Sequence, residues 1–134
     1  MESLTAPCAL MPAALTESTT LGQNPDAAIL LAFEQWKTLH AARAALPETA
    51  SEQETALWDE IDRLDHLVHN LLAHTPAGVA CKLWIAITHN TPDHAPEDAA
   101  FRTDLDWFIT QGDALDWNVR CIVSALVALK TMEG

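Results

Sequence analysis

The sequence predicts an all-α fold: an antiparallel bundle of four, or five, helices with a long C-terminal helix. Apolar residues recur at intervals of three and four along most of the chain, which is the helical period. Pro and small polar residues stand where helices would begin. No two alternating apolar–polar stretches flank a Gly-rich turn, so no paired strands are expected. With 134 residues, 49% of them hydrophobic, the chain suits one globular domain.

The first helix is expected to follow a tail. Residues 1–23 are rich in Ser, Thr, Pro and Ala without a sustained period, which predicts a flexible tail before a bundle of residues 24–134. Asn24-Pro25-Asp26 is a helix start, because Asn is a good N-cap, Pro suits the first turn and Asp complements the helix dipole. Pro47 should end this helix. Its expected core face comprises Ile29, Phe33, Trp36 and Leu39.

The second helix should fold back on the first, because only Pro47-Glu48-Thr49-Ala50 connects them. Ser51 and Glu54 match a capping box, in which the Ser caps the helix and the Glu reaches back. The apolar spacing of four and three that follows is a strong helix signal. It comprises Leu57, Ile61, Leu64, Val68 and Leu71.

A third helix should start at Thr75-Pro76, with Thr75 as N-cap, and run to about Thr88. Most of its residues are apolar, which predicts a buried helix. A strand over residues 83–88 is the alternative, although no partner strand is visible.

The final segment is predicted to form one long helix from about Glu97 to Thr131. Its apolar positions keep one helical phase across Gly112, and an interior Gly costs a helix only about 1 kcal/mol. In the alternative, Gly112 ends one helix and Asp113 caps the next. We call the apolar positions the predicted seam and expect it to join helices or subunits: Phe101, Leu105, Phe108, Leu115, Val119, Ile122, Leu126 and Leu129.

Two of the five tryptophans, Trp58 and Trp107, fall off the main apolar seams. Tryptophan is enriched at protein interfaces, so both are candidate interface residues. Packing within the bundle is the alternative interpretation.

The charge is strongly acidic, with 7 Lys and Arg against 19 Asp and Glu and a net charge of −12. This composition argues against direct binding to nucleic acid or to an anionic membrane, since both require basic residues. Residues 48–75 hold seven acids and one base. The charge either keeps the bundle in solution or steers it toward a basic protein partner.

The three cysteines, Cys8, Cys81 and Cys121, form no C-x-x-C motif. Free thiols are typical of a reducing compartment. The N-terminus lacks the positive charge of a signal peptide, and the apolar runs are too short to span a bilayer. We therefore expect a cytoplasmic protein.

The best metal candidates are Asp62, Asp65, His66 and His69, which share one face of the second helix. That face is opposite the helix's apolar seam, so a solvated acidic surface is the preferred interpretation and a metal site the weaker one. His89 and His94 bracket a loop and are interpreted as loop and cap residues. No catalytic residue and no cofactor are predicted, since phosphate-binding loops and nucleophile elbows are absent.

A metal-dependent hydrolase is the alternative from a different functional class. All-α pyrophosphohydrolases hold magnesium or manganese with paired acidic residues on bundle helices, and hard cations need several converging oxygens. The nearest approach to that pattern in this chain is Asp62-x-x-Asp65 together with Asp113-x-x-Asp116.

Two stretches carry a resemblance: Ala56-Leu57-Trp58-Asp59-Glu60, and Thr75 through Leu83. With the Ala-rich composition, they resemble a group of small, uncharacterised helical proteins of proteobacterial genomes and mobile elements. The resemblance implies a helical fold and carries no activity.

These observations favour a non-enzymatic protein that acts through protein–protein contacts, with a basic partner and as a homo-oligomer. One form of the hypothesis is a phage-derived inhibitor, or nucleic-acid mimic, whose carboxylates occupy a nucleic-acid-binding surface on the target.

Overall fold

The computed structural model describes residues 24–91 and 94–133 and is an all-α bundle with a long C-terminal helix, as the sequence predicts. No strand occurs within these ranges. The predicted tail, residues 1–23, and Cys8 lie outside them. The helices are α1 (Ala27–Ala44), α2 (Ser51–Asn70), α3 (Pro76–His89), α4 (His94–Phe101), α5 (Leu105–Gln111) and α6 (Trp117–Glu133), with a short 3₁₀ turn at Gly112–Ala114.

Helices α1 and α2 form the expected hairpin and pack along most of their length. The capping box, however, is wrong. The N-cap position is Ala50, whose carbonyl accepts the Glu54 N–H at 3.0 Å, and no side chain caps the helix. The helix begins one residue earlier than predicted, so Ser51 is already in its first turn. The residues buried along the hairpin are Ile29, Ala32, Phe33, Trp36 and His40 of α1 and Ile61, Leu64 and Val68 of α2.

Helix α3 is the central helix, in contact with α1, α2, α4 and α6. Its start is as predicted: the Thr75 hydroxyl accepts the Gly78 N–H at 3.1 Å, and Pro76 is the first helical residue. Residues 83–88 are helical, so the strand alternative is wrong. The side chains it buries are Cys81, Trp84, Ile85 and Ile87.

Asp26 fastens the start of α1 to the start of α3. Its side chain is fully buried and accepts hydrogen bonds from the backbone N–H of His74 at 2.9 Å and of Thr75 at 2.8 Å. The Thr75 hydroxyl donates a third bond at 2.6 Å and chiefly accounts for a lowered Asp26 pKa. The sequence predicts that Asn24 caps α1 and that the Asp26 carboxylate complements the dipole of its own helix. Instead, Asp26 holds the N-cap position without capping its own helix, and Asn24 accepts the Asp26 N–H at 2.9 Å.

The last segment is not one helix. The chain turns first at Thr103, which has a positive φ of 50° and closes α4 in a Schellman motif. In this motif the Asp104 N–H bonds the Ala99 carbonyl and the Thr103 N–H bonds the Ala100 carbonyl, both at 2.9 Å. The chain turns again after α5 at Gly112, whose φ is 54°. The break at Gly112 is therefore confirmed, but Asp113 does not cap the next helix: it lies in the 3₁₀ turn, and α6 begins only at Trp117.

The predicted seam joins helices within the chain. Phe108, Val119 and Leu126 are buried in the core, so a partner subunit cannot reach them in the folded monomer. Of the two roles expected for the seam, these three residues therefore have the one between helices. Four other members of the seam, and Trp107, are half-buried against the same core: Phe101, Leu105, Leu115 and Ile122. Leu129 is half-buried as well.

None of the helices in the described ranges combines the length and the apolarity needed to cross a membrane.

Candidate functional site

A groove with a volume of about 510 Å³ lies between α2 and α3, and we call it the α2–α3 groove. All four residues that the sequence singled out as metal candidates line it. Sequence reasoning missed the α3 side of the groove, because helix periodicity does not reveal which helices lie side by side. The lining residues are Asp62, Asp65, His66, Val68 and His69 of α2 and Lys82, Ile85, Ala86 and His89 of α3.

Asp65 is the recessed carboxylate of the groove, with 16% of its side chain exposed. Its Oδ2 lies 3.3 Å from His89 Nε2, a long contact to an exposed imidazole. Its Oδ1 is buried and has no hydrogen bond of standard geometry within the described chain, and neither has the buried Trp36 indole nitrogen. Burial raises the Asp65 pKa, while His89 and the indole N–H of Trp36 act in the opposite direction. Oδ1 is thus the buried oxygen of the carboxylate, and Oδ2 is the oxygen in contact with the exposed His89 imidazole.

The ammonium group of Lys82 binds the C-terminal end of α2. Its Nζ donates to the carbonyls of Val68 at 2.7 Å and His69 at 3.2 Å, and also to that of Leu71. An ammonium group has three donors, so these three carbonyls use all of them. The positive charge also complements the C-terminal end of the α2 dipole. Lys82 therefore caps α2 and has no donor left for a ligand.

The imidazole of His66 is also oriented by backbone. Its Nδ1 lies 2.8 Å from the Asp62 carbonyl oxygen, which can only accept, so Nδ1 carries the proton in this contact. In the neutral ring Nε2 is then an acceptor. With the carboxylates of Asp62 and Asp65, the uncommitted groups of the groove are mainly acceptors.

The metal-site hypothesis gains no geometric support. No group of three or more His, Cys, Asp or Glu side chains in the described ranges is placed to hold a metal ion. The two acidic pairs of the hydrolase alternative lie apart as well. Asp116 lines a second cavity of about 280 Å³, and Asp113 pairs with Arg120 at 2.7 Å.

His89 and His94, interpreted from the sequence as loop and cap residues, are the last residue of α3 and the first residue of α4. His89 faces Asp65, whereas His94 is exposed and lies 4.0 Å from Glu97. Cys81 is buried, and burial raises its pKa to about 11, so its thiol is an unreactive core group.

The outer face of α2 carries a second feature, which we call the acidic stripe: Glu52, Asp59 and Asp62. These residues are exposed, and none of them forms an ion pair with any described residue. Spacings of seven and three place them along one side of the helix. Trp58 borders the stripe with 39% of its surface exposed. The Arg43 guanidinium lies 4.6 Å from its ring centre, within the range of a cation–π interaction.

Comparison of the chain with protein-family models, with curated proteins and with solved structures finds no match. The resemblance to small Ala-rich helical proteins therefore stays a prediction, and the function has to be inferred from the chain's own residues.

Proposed function

We propose that this protein is a non-enzymatic binding protein whose acidic stripe on α2 contacts a basic surface of a protein partner. The observation that carries the proposal is the row of exposed carboxylates at Glu52, Asp59 and Asp62, none of them paired with a cation in the described chain. Some other surface carboxylates do have a nearby cation: Glu34 pairs with Lys37, and Asp113 with Arg120.

Unpaired surface charge of one sign acts on a partner in two ways. It accelerates encounter with an oppositely charged surface, and it fixes the orientation of the complex. Trp58 at the border of the stripe adds a large, partly apolar contact of the kind that contributes most to binding energy. A basic partner would meet charge and an aromatic anchor on the same helix.

The proposal assigns the protein to the cytoplasm. Cys81 and Cys121 are free thiols, which a reducing compartment preserves. An inhibitor that occupies a nucleic-acid-binding surface is a specific form of the same proposal, because such surfaces are rich in Lys and Arg.

A pair of matched double variants tests the stripe. Glu52→Gln with Asp59→Asn removes two stripe charges, whereas Asp98→Asn with Asp106→Asn removes two exposed charges from α4 and α5. Anisotropy of a labelled Lys/Arg-rich peptide should report a loss of affinity of about tenfold for the stripe variant and about twofold or less for the control. Affinity should also fall steeply with added salt. Equal losses in both variants, or binding insensitive to salt, would contradict the proposal.

A further inference from the structure

We propose that the α2–α3 groove binds the ammonium or guanidinium group of a Lys or Arg side chain, with the alkyl stem of that side chain against the groove's apolar floor. The inference rests on the proposed function in one respect: the side chain belongs to the basic partner. Binding of the cation itself is a property of the groove alone.

The charge of the ligand follows from which polar groups of the groove are still able to bind a partner. Asp65 Oδ2 has only the long 3.3 Å contact to His89, and Asp62 has no ion pair within the described chain. Lys82, the one Lys or Arg that lines the groove, has all three donors on backbone carbonyls. An anion would find two carboxylates and no free donor from Lys82, whereas a cation with N–H donors would find acceptors.

Burial makes Asp65 a stronger anchor than an ordinary surface carboxylate. With 16% of its side chain exposed, it has lost much of its hydration, and a cation would restore the lost interaction. The exposed acids of the stripe remain hydrated and gain less from pairing. The recessed position also limits access to a narrow group on a stem.

The walls of the groove suit such a stem. Val68, Ile85 and Ala86 supply apolar surface beside the carboxylates. Lys and Arg side chains bury their methylene groups on apolar surface while the charged head finds polar partners. The volume of about 510 Å³ falls in the usual range of ligand pockets, about 300–1,000 Å³.

The groove also adjoins the acidic stripe, because Asp62 belongs to both. A basic partner that lies along the stripe therefore has the groove within reach of its next side chains. Continuity of the two features is why we assign the cation to the partner rather than to a free amine.

NMR titration with pentylammonium, and with 1-pentanol as a neutral control of the same length, tests the groove. Pentylammonium should shift the amide signals of the groove residues, and 1-pentanol should bind at least about tenfold more weakly. Asp65→Asn should reduce pentylammonium affinity by about tenfold or more. Asp98→Asn, a surface control on α4, should leave it unchanged.

A second variant covers the case in which Asp65→Asn disturbs the fold. Ala86→Phe fills the groove and keeps every charge, so it should abolish the shifts while circular dichroism stays unchanged. Equal binding of the alcohol and the amine, or full binding by both variants, would overturn the inference.

The source of the cation is tested with a basic peptide that carries one central Lys, compared with the same peptide carrying norleucine there. The Lys peptide should bind about tenfold more tightly than both the norleucine peptide and pentylammonium. Pentylammonium that binds as tightly as the Lys peptide would overturn the assignment to a partner side chain.

The stripe variant separates the two proposals. Glu52→Gln with Asp59→Asn should weaken the peptide and leave pentylammonium unaffected. If the peptide is also unaffected, the proposed function fails while the cation site stands. If the groove variants leave pentylammonium binding intact, the cation site fails while the stripe stands.

Discussion

His40 lies inside a cluster of aromatic rings contributed by α1, α2 and α4. Its imidazole stacks on Phe101 with 4.0 Å between ring centres and meets Trp36 edge-on at 4.6 Å. The ring is buried, and its Nδ1 has no hydrogen-bond partner in the described chain. Burial, and to a lesser degree the charges of Arg43 and His89, lower the His40 pKa from 6.5 to about 4. His40 is therefore neutral in the folded protein at neutral pH.

This lowered pKa predicts acid sensitivity. The unfolded chain binds a proton at His40 near pH 6.5 and the folded chain only near pH 4, so stability is present above pH 6.5 and is lost as pH falls toward 4. We expect the free energy of unfolding to fall by about 2 kcal/mol at this site over that window, after a discount for solvent screening.

Urea unfolding of the native protein and of His40→Phe at both ends of the window measures the effect. The variant should lose about that much of the pH dependence, leaving the share due to carboxylates. His69→Gln, at an exposed position, serves as the control and should keep the native pH dependence. An unchanged slope in His40→Phe would show that His40 is not the titrating group.

The burial of His40 could not be predicted from the local sequence pattern. The α1 pattern predicts Leu39 as a core position, and Leu39 is half-buried while His40 is buried. Periodicity scores His as polar, whereas the rings that accommodate it come from residues 58 and 101, far along the chain. Burial of this kind depends on tertiary contacts that a local pattern does not contain.

At the scale of elements, Gly78 shows how closely the start of α3 packs on α1. A Cβ at this position would lie 2.1 Å from Asp26 Oδ2, and that carboxylate is held by His74 and Thr75. Gly→Ala in a helix usually stabilises by about 1 kcal/mol. Here Gly78→Ala should destabilise by about 2 kcal/mol, because the added methyl displaces the carboxylate from its donors.

A double-mutant cycle with Asp26→Ala tests this explanation by chemical denaturation. Asp26→Ala alone should be destabilising, and Gly78→Ala should cost little further stability in that background. Additive effects of the two changes would contradict a clash with Asp26.

A substitution at Thr103 is expected to have the opposite effect, a gain in stability. It is a β-branched residue at φ 50°, a region in which only Gly is unstrained. Thr103→Gly should therefore stabilise the protein by about 0.5–1 kcal/mol, seen as a higher thermal midpoint. Thr38→Gly, an exposed α1 position with right-handed geometry, should lower the midpoint. A lower midpoint for Thr103→Gly would argue against strain at the turn.

The C-terminal segment shows why element boundaries were harder to predict than element types. The predicted helical segments do contain helices, yet three helices stand where one was expected. Each helix turns an apolar face to the same core, so the period survives across the turns at Thr103 and Gly112. Residues 101–104 contain no sequence signal for the first turn, because the position with positive φ is a Thr and not the usual Gly.

At the scale of the whole molecule, the sequence predicted the α2 side of the candidate site but not its α3 side. Sequence spacing grouped Asp62, Asp65, His66 and His69 on one face of α2, and the structure keeps them together. The sequence did not predict that α3 lies against that face, where it adds His89 and Lys82 to the groove. The acidic stripe accounts for three of the 19 Asp and Glu residues that give the chain its net charge of −12.

The predicted homo-oligomer now has a smaller surface available to it. Phe108, Val119 and Leu126 belong to the core, so self-association stays a prediction for exposed side chains such as Trp58 and Trp117.

The buried Asp26 carboxylate also bears on how this sequence can change over time. The connection between α2 and α3 spans only residues 71–75, and connections between helices usually tolerate insertions. Its His74 and Thr75 amides, however, are bound to Asp26, some 48 residues earlier in the chain. An inserted residue would withdraw those donors from a buried charge. Length variation among descendants of this sequence should therefore be found between α1 and α2, where residues 45–50 are mostly exposed, and should be rare between α2 and α3.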